Sequence, residues 1–385
     1  MNKRIDSIKG ISCFTGKPIN IKIDKGRIQA VETLPETGDD NQKLISPGFI
    51  DNQVNGFASV SFTDENLTVD KVNSVTKNLW KYGVTSYFPT LTTSSREQLL
   101  ANLQVLAEAI NEDGNTNSIP GIHLEGPYIS PEKGYRGAHP KKYIRKPDWE
   151  EFTGFQKAAQ GNIIQITLAP EIEGSLMFIE HCVENGIVVA LGHHNGSAKE
   201  IKSAVKAGAR IATHFGNACA NYINRHKNPL WPQLANEELS LSLIADGIHL
   251  TEEEIDVFYK AKGIDKIILT SDVTKFAGMP PDNYEWNGQK VKLTEEGRVL
   301  LTAENMLAGS ALPLLQGLET FRAYTDCSLS EVIQTVTHNP SELYHLKNSG
   351  AIAAGNSANL VQLKAEEKIE VEKTIIKGEL VYEKV

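Results

Sequence analysis

The 385-residue sequence predicts an α/β fold: a closed (β/α)8 barrel of parallel strands, with a small β sandwich built from both chain ends. Three observations predict it. Eight apolar runs alternate with segments of helical periodicity through the middle of the chain. Residues suited to metal ligation or proton transfer fall singly at the C-terminal ends of those runs, the rim where barrel enzymes build their sites. Both termini carry short β-type runs that cannot bury two faces unless they pair with each other.

In chain order, Ile21-Lys22-Ile23 leads into Asp24-Lys25-Gly26 and then Ile28-Gln29-Ala30-Val31, a hairpin signal. The eight runs are 44–55, 85–91, 119–128, 163–171, 187–193, 210–217, 241–249 and 266–273. Helices between them have start signals. Ser94 with Glu97 reads as a capping box ahead of the stripe Leu99, Leu103, Leu106 and Ile110. Ser197 with Glu200, and Thr251 with Glu254, repeat the device. The C-terminal strands are expected over 358–363, around Val371 to Ile376, and at Leu380-Val381. Residues 1–45 with 352–385 are therefore expected to form the small β domain, and 46–351 the barrel. An open doubly wound sheet is the alternative arrangement of the same elements. No internal repeat or low-complexity segment is visible.

The net charge of −9 without a Lys/Arg cluster argues against nucleic acid as a partner. Four scattered cysteines without C-x-x-C spacing read as free thiols of a reducing compartment. The N-terminus has no apolar signal core, and no apolar run is long enough to span a bilayer. A soluble, cytoplasmic protein without a membrane partner is expected.

Glu125 ends the third run in Gly121-Ile122-His123-Leu124-Glu125-Gly126-Pro127. His123 lies two residues back, on the same side by strand period, and reads as a core histidine. His193 ends the fifth run and His194 points to the opposite side. His214 ends the sixth run and Asp272 the eighth. Any one of these residues has a bland reading as a loop acid, a satisfied histidine or a turn aspartate. Together, two histidines and an acid at rim positions suit one divalent metal, with Asp272 as general base for a metal-activated water. The donor types allow zinc, iron(II), cobalt or manganese. Asn217, Arg225 and His249, with the Ala218 N–H, suggest an anion pocket for a phosphate.

These motifs together resemble the N-acetylglucosamine-6-phosphate deacetylase family of the amidohydrolase superfamily, over nearly the whole chain. The resemblance is carried by Pro47 to Gly56, His123 to Pro127, Gly192-His193 and Thr213 to Ala218. It continues through Ala245 to His249, Asp272, Leu307-Ala308-Gly309-Ser310 and Gly350 to Gly355. Where most amidohydrolases carry His-x-His, this chain has Gln53-Val54-Asn55, and amides are poor ligands beside imidazole. The resemblance implies removal of an acetyl group from an amino-sugar phosphate by one divalent ion per subunit, zinc first. Glu125, His193 and His214 would be ligands, and Asp272 the base and then the acid. His139 would polarise the acetyl carbonyl. Gln53 and Asn55 would replace a second metal site, and Ala138, Asn217, Ala218, Arg225, His249 and Leu307 would contact substrate. A homodimer is also implied, with the arginine loop reaching the neighbouring site. The chain departs from the family pattern at Cys219, in the loop 226–232 and in 273–278, all bordering the sugar-phosphate pocket. The alternative substrate is therefore another N-acyl sugar or a cyclic amide. A catalytically silent sugar-phosphate binder would have no need of a base together with three ligands.

Overall fold

A computed structural model of the chain describes residues 3–35, 43–112, 118–286, 289–303, 306–366 and 368–384. At its centre, eight parallel strands stand side by side in chain order. They are Phe49–Val54, Val84–Thr92, Ile122–Glu125, Ile163–Leu168, Val188–Leu191, Ile211–Ala212, Ser240–Leu243 and Ile267–Leu269. Each falls on one of the eight apolar runs, because strands between helices and a filled interior are buried on both faces. Most end earlier than the runs do. Beyond Leu191, Ala212 and Leu269 the chain leaves strand geometry and presents polar residues to the rim.

The first run divides in two. Leu44–Pro47 belongs to the terminal sheet, and only Phe49–Val54 enters the barrel. Gly48 makes the crossing, where a Cβ would lie 2.0 Å from the Thr85 Oγ1. The seam between strands eight and one lacks a full ladder. A parallel bridge between Val54 and Val273 closes it, together with the Asn55 N–H donating to the Val273 carbonyl at 2.8 Å. The buried Asp51 carboxylate adds to the closure, its Oδ1 accepting from Thr270 Oγ1 at 2.8 Å and Ser271 N at 3.2 Å.

Helix Arg96–Asn111 buries Leu99, Leu103 and Leu106 against the barrel. Its cap is Ser95, whose hydroxyl accepts from the Gln98 N–H, rather than the expected Ser94 with Glu97. Of the two adjacent serines, Ser95 takes the extended cap conformation (φ −62°, ψ 155°), and Ser94 uses its carbonyl to receive Arg145 Nη1 at 3.2 Å. The boxes at Ser197/Glu200 and Thr251/Glu254 form reciprocally, as expected.

The terminal strands form one eight-stranded sheet in the order Lys3–Arg4, Glu379–Glu383, Ile369–Ile376, Leu360–Ala365, Leu44–Pro47, Ser7–Ser12, Pro18–Asp24, Arg27–Thr33. The expected hairpin around Lys25-Gly26 is present. Strands from both chain ends share a core of Ile8, Ile19, Ile21, Ile23, Ile28, Ile45, Leu360 and Ile375, as in a small β sandwich. Val361, Leu363 and Val371 instead join the barrel core.

One element has no counterpart in the sequence reading. After barrel strand eight, an antiparallel sheet of Asp282–Trp286, Gln289–Leu293, Arg298–Leu301 and Met306–Ser310 folds on its own core of Phe276, Val291, Leu293, Val299 and Leu301. Its last strand returns to the rim, where Ser310 bridges Val273 and Ala138 packs against the sheet. Among the described residues, no helix is long and apolar enough to cross a membrane.

Candidate active site

Glu125, His193 and His214 converge at the rim from the ends of strands three, five and six, and all are buried. Glu125 Oε1 lies 3.2 Å from His193 Nε2 and 3.0 Å from His214 Nε2, and the two imidazole nitrogens are 3.1 Å apart. Two ring nitrogens at that separation need a proton or a cation between them. The three distances lie close to the roughly 3.3 Å edge of a tetrahedron with ligand bonds of about 2.0–2.1 Å. His193 Nδ1 faces the Tyr135 carbonyl at 3.1 Å, so its proton belongs on Nδ1 and Nε2 keeps a free lone pair. The donor set fits one divalent ion with a fourth position left open.

Electrostatics agree with that reading. Burial opposes ionisation of Glu125, but the neighbouring His193 and His214 rings outweigh it and hold the carboxyl well below its ordinary range. Burial likewise opposes protonation of His214, and the Glu125 carboxylate reverses the balance and raises its pKa. Backbone strain marks the same positions. His193 (φ 53°), His214 (φ 31°) and Asp272 (φ 49°) all occupy left-handed conformations that L-residues avoid.

Asp272 sits beside the cluster, held by two amides. Gln53 Nε2 donates to Asp272 Oδ1 at 2.8 Å and to Glu125 Oε1 at 2.9 Å. Asn55 Nδ2 donates to the same Asp272 Oδ1 at 2.7 Å. With Oδ1 taken twice, Oδ2 is the oxygen left for chemistry. Burial is the largest influence on this group, and with Glu125 nearby it pushes the carboxyl up to about 7. Gly309 from the inserted sheet comes so close that a Cβ would lie 3.0 Å from the Asp272 carbonyl.

His139 reaches the cluster from the loop after strand three, its Nε2 3.8 Å from Glu125 Oε2. The Thr93 N–H donates to His139 Nδ1 at 3.4 Å, and Thr93 Oγ1 lies 2.8 Å from the same nitrogen. An Nδ1 that accepts places the proton on Nε2. Burial, then the neighbouring His193, lower the His139 pKa to about 3, so the ring is neutral. Gly137 packs its backbone against the His193 ring.

Of the residues expected from the sequence to hold an anion, Asn217 has a buried Nδ2 without a hydrogen-bond partner, and Ala218 follows at φ 50°. His249 is fixed by Asp246, whose Oδ2 lies 2.8 Å from His249 Nδ1. Leu307 lies on the last strand of the inserted sheet. Arg225 stands apart from these. It is exposed, its Nε donates to His226 Nε2 at 3.1 Å, and its carbonyl accepts from the Trp231 indole at 2.8 Å. Within this chain it is not brought to the cluster.

His123 is buried beneath the cluster, bonded to Thr90 Oγ1 at 3.2 Å and Thr167 Oγ1 at 2.8 Å, and burial lowers it to about 4. It belongs to the polar lining of the barrel interior, as a core histidine. His194 is not part of the three-residue cluster, and its Nδ1 accepts from the Gly196 N–H. The sequence reading assigned nothing to Thr93, Tyr135, Asp51 or Asp246. Of these, only Asp246 leaves a local signal, as the first residue of an Asp-Gly-Ile-His turn.

Residues 44–381 match the amidohydrolase family, and the chain belongs to that family. Within it, the chain is 31% identical over 374 residues to the N-acetylglucosamine-6-phosphate deacetylase of Bacillus subtilis, covering 94% of this chain and 92% of the relative. It is 28% identical to an N-acetylgalactosamine-6-phosphate deacetylase of Escherichia coli O157:H7, covering 94% of each. A crystal structure of the Thermotoga maritima N-acetylglucosamine-6-phosphate deacetylase superposes with a TM-score of 0.88 at 28% identity, covering 98% of this chain and 100% of the other.

Proposed function

We propose that this protein is a metal-dependent deacetylase that hydrolyses N-acetyl-D-glucosamine 6-phosphate to D-glucosamine 6-phosphate and acetate. One constellation carries the reading: three ligand atoms 3.0–3.2 Å apart, beside a carboxylate whose Oδ1 is held by two amides. The Bacillus and Thermotoga relatives supply the substrate. Glu125, His193 and His214 would hold one zinc ion, and iron, cobalt or manganese suit the same donors. When bound, the ion polarises the acetyl carbonyl and lowers the pKa of the attacking water.

The chain's own groups do the rest. Asp272 Oδ2 takes a proton from the water as its oxygen bonds to the acetyl carbon. The His139 Nε2–H donates to the carbonyl oxygen as charge develops there. Asp272 then returns the proton to the amine as the C–N bond breaks. A carboxyl poised near 7 can do both. Asn217, the Ala218 N–H and His249 would hold the 6-phosphate, and Ala138 and Leu307 would line the sugar. Arg225, on an exposed loop, would complete a site in a homodimer from the partner subunit. Residues 1–45 with 352–385 would form the accessory domain and 46–351 the catalytic one, in a cytoplasmic enzyme.

The exposed, self-bonded Arg225 loop favours a second reading, in which the same chemistry serves another N-acyl sugar. Acetate release from N-acetylglucosamine 6-phosphate, N-acetylgalactosamine 6-phosphate and N-acetylglucosamine, with the zinc-loaded protein and Asp272→Asn as blank, separates the two. The first reading expects turnover of the glucosamine phosphate ester above the others. No release from it by metal-loaded protein would overturn that reading.

A further inference from the structure

Four donors converge on one buried carboxylate outside the metal cluster. Asp246 Oδ1 accepts from the Ile248 and His249 N–H groups, each at 2.9 Å. Its Oδ2 accepts from His249 Nδ1 and from Ser310 Oγ, each at 2.8 Å. Every site on this carboxylate that a buried group would leave wanting is filled. The bond from His249 has a chemical consequence, because a carboxylate acceptor places a proton on Nδ1 and turns the other ring edge, Nε2, away from Asp246. Among the described residues, Nε2 has no hydrogen-bond partner, although the side chain is 5% exposed.

The bond from Ser310 has a second consequence. Ser310 ends the strand that carries Leu307, and its N–H donates to the Asp272 carbonyl at 3.1 Å, while its own carbonyl receives the Thr274 N–H at 2.9 Å. Asp246 is thereby two contacts from the proposed base. One carboxylate orients the histidine at one end of the pocket and anchors the strand that buttresses the other.

We propose that Asp246 is a positioning residue, which acts through His249 to present Nε2 to the anionic group of the substrate and through Ser310 to hold the inserted sheet on the rim. The inference rests on the proposed function for the identity of that anion, a phosphate monoester. A bond to a charged group is lost in Asp246→Asn, whose amide can present N–H to a ring nitrogen that also carries a proton.

The test is a double-mutant cycle read as kcat and KM on N-acetylglucosamine 6-phosphate, with zinc-loaded protein. Asp246→Asn is expected to raise KM roughly 10- to 100-fold while changing kcat less than about fivefold. In a His249→Ala background the same substitution is expected to change KM less than about threefold, because the ring that reaches the anion is gone and the amide oxygen of the substituted side chain still accepts from Ser310 Oγ. Equal effects in both backgrounds would make Asp246 a general structural support and overturn the proposal. A second readout needs no turnover and no variant: in 15N-labelled wild-type protein, the His249 ring must carry its proton on Nδ1. A bare Nδ1 overturns the proposal even if Asp246→Asn does not fold. If wild type shows no preference for the phosphorylated sugar, the phosphate reading falls, and the cycle, run on the substrate that is turned over, still decides the role of Asp246.

Discussion

Asp51 offers a quantitative test of how the barrel seam is held. Its carboxylate is buried, with three donors on Oδ1 (Thr270 Oγ1 at 2.8 Å, Ser271 N at 3.2 Å, Gln53 N at 3.4 Å) and none on Oδ2. Burial outweighs those bonds and pushes the carboxyl up to about 6. An unfolded aspartate titrates near ~3.9, so between those values the folded protein binds the extra proton. The stability this group contributes is therefore full below about pH 4 and is lost as pH rises through 6. Two units correspond to about 3 kcal/mol, of which about 2 kcal/mol disappears between pH 4.5 and 7.5. At ~2.1 cal/mol/K per residue, 385 residues give an unfolding entropy of about 0.8 kcal/mol/K, so that loss is worth about 2–3 °C in Tm. Asp51→Asn keeps an acceptor oxygen and cannot titrate. Calorimetry of both proteins at the two pH values should show wild type losing about 2–3 °C relative to the variant on going to pH 7.5. A Tm difference that stays constant with pH, or moves the other way, would refute the argument that an uncompensated buried charge sits at the seam.

Two further outcomes follow from the site geometry. Gln53→Leu removes one donor from Asp272 and one from Glu125. At about 1.5–3 kcal/mol for a bond to a charged group, kcat should fall roughly 10- to 100-fold, with bound metal by elemental analysis still at one per chain; unchanged kcat would remove the bridge from the mechanism. Gly137→Ala adds a Cβ 3.0 Å from His193 Cε1 and 3.2 Å from Nδ1, at a φ of 55°. The ring must shift from the Tyr135 carbonyl, and metal affinity measured by chelator competition should drop roughly 10- to 100-fold, whereas wild-type affinity would mean that the carbonyl does not set the ring.

The barrel was legible because its strands are buried on both faces and read as unbroken apolar runs, each ending where a polar residue turns to the rim. Glu125, His193, His214 and Asp272 stood at those ends. The sheet over 282–310 was not read, because it is a surface element with mixed faces. Gln289–Leu293 alternates lysine with apolar residues, but Asp282–Trp286 has only polar and aromatic side chains to offer. Thr93 and Tyr135 were illegible for another reason. The Tyr135 carbonyl and the Thr93 N–H are backbone groups, which every residue carries, so their aim at His193 and His139 appears only after folding. Arg225 marks the opposite case, since its residue type pointed to an anion and the loop geometry directs it outward.

The pairing of Leu44–Pro47 with Leu360–Ala365 also sets a timetable. A ribosome delivers five of the eight strands of that sheet, then the barrel, and afterwards the three strands that complete the core of Ile21 and Ile45. Barrel strand one runs directly on from Leu44–Pro47, so the earliest barrel residues to emerge adjoin the sheet that is completed last. Loop closure over such a distance carries a modest, logarithmic entropy penalty, but its place in time is fixed: apolar surface from Ile8 to Ile45 waits for the C-terminus. In a cell this is a long interval of exposure to chaperones, and a chain stopped before Leu360 leaves synthesis with that face still open.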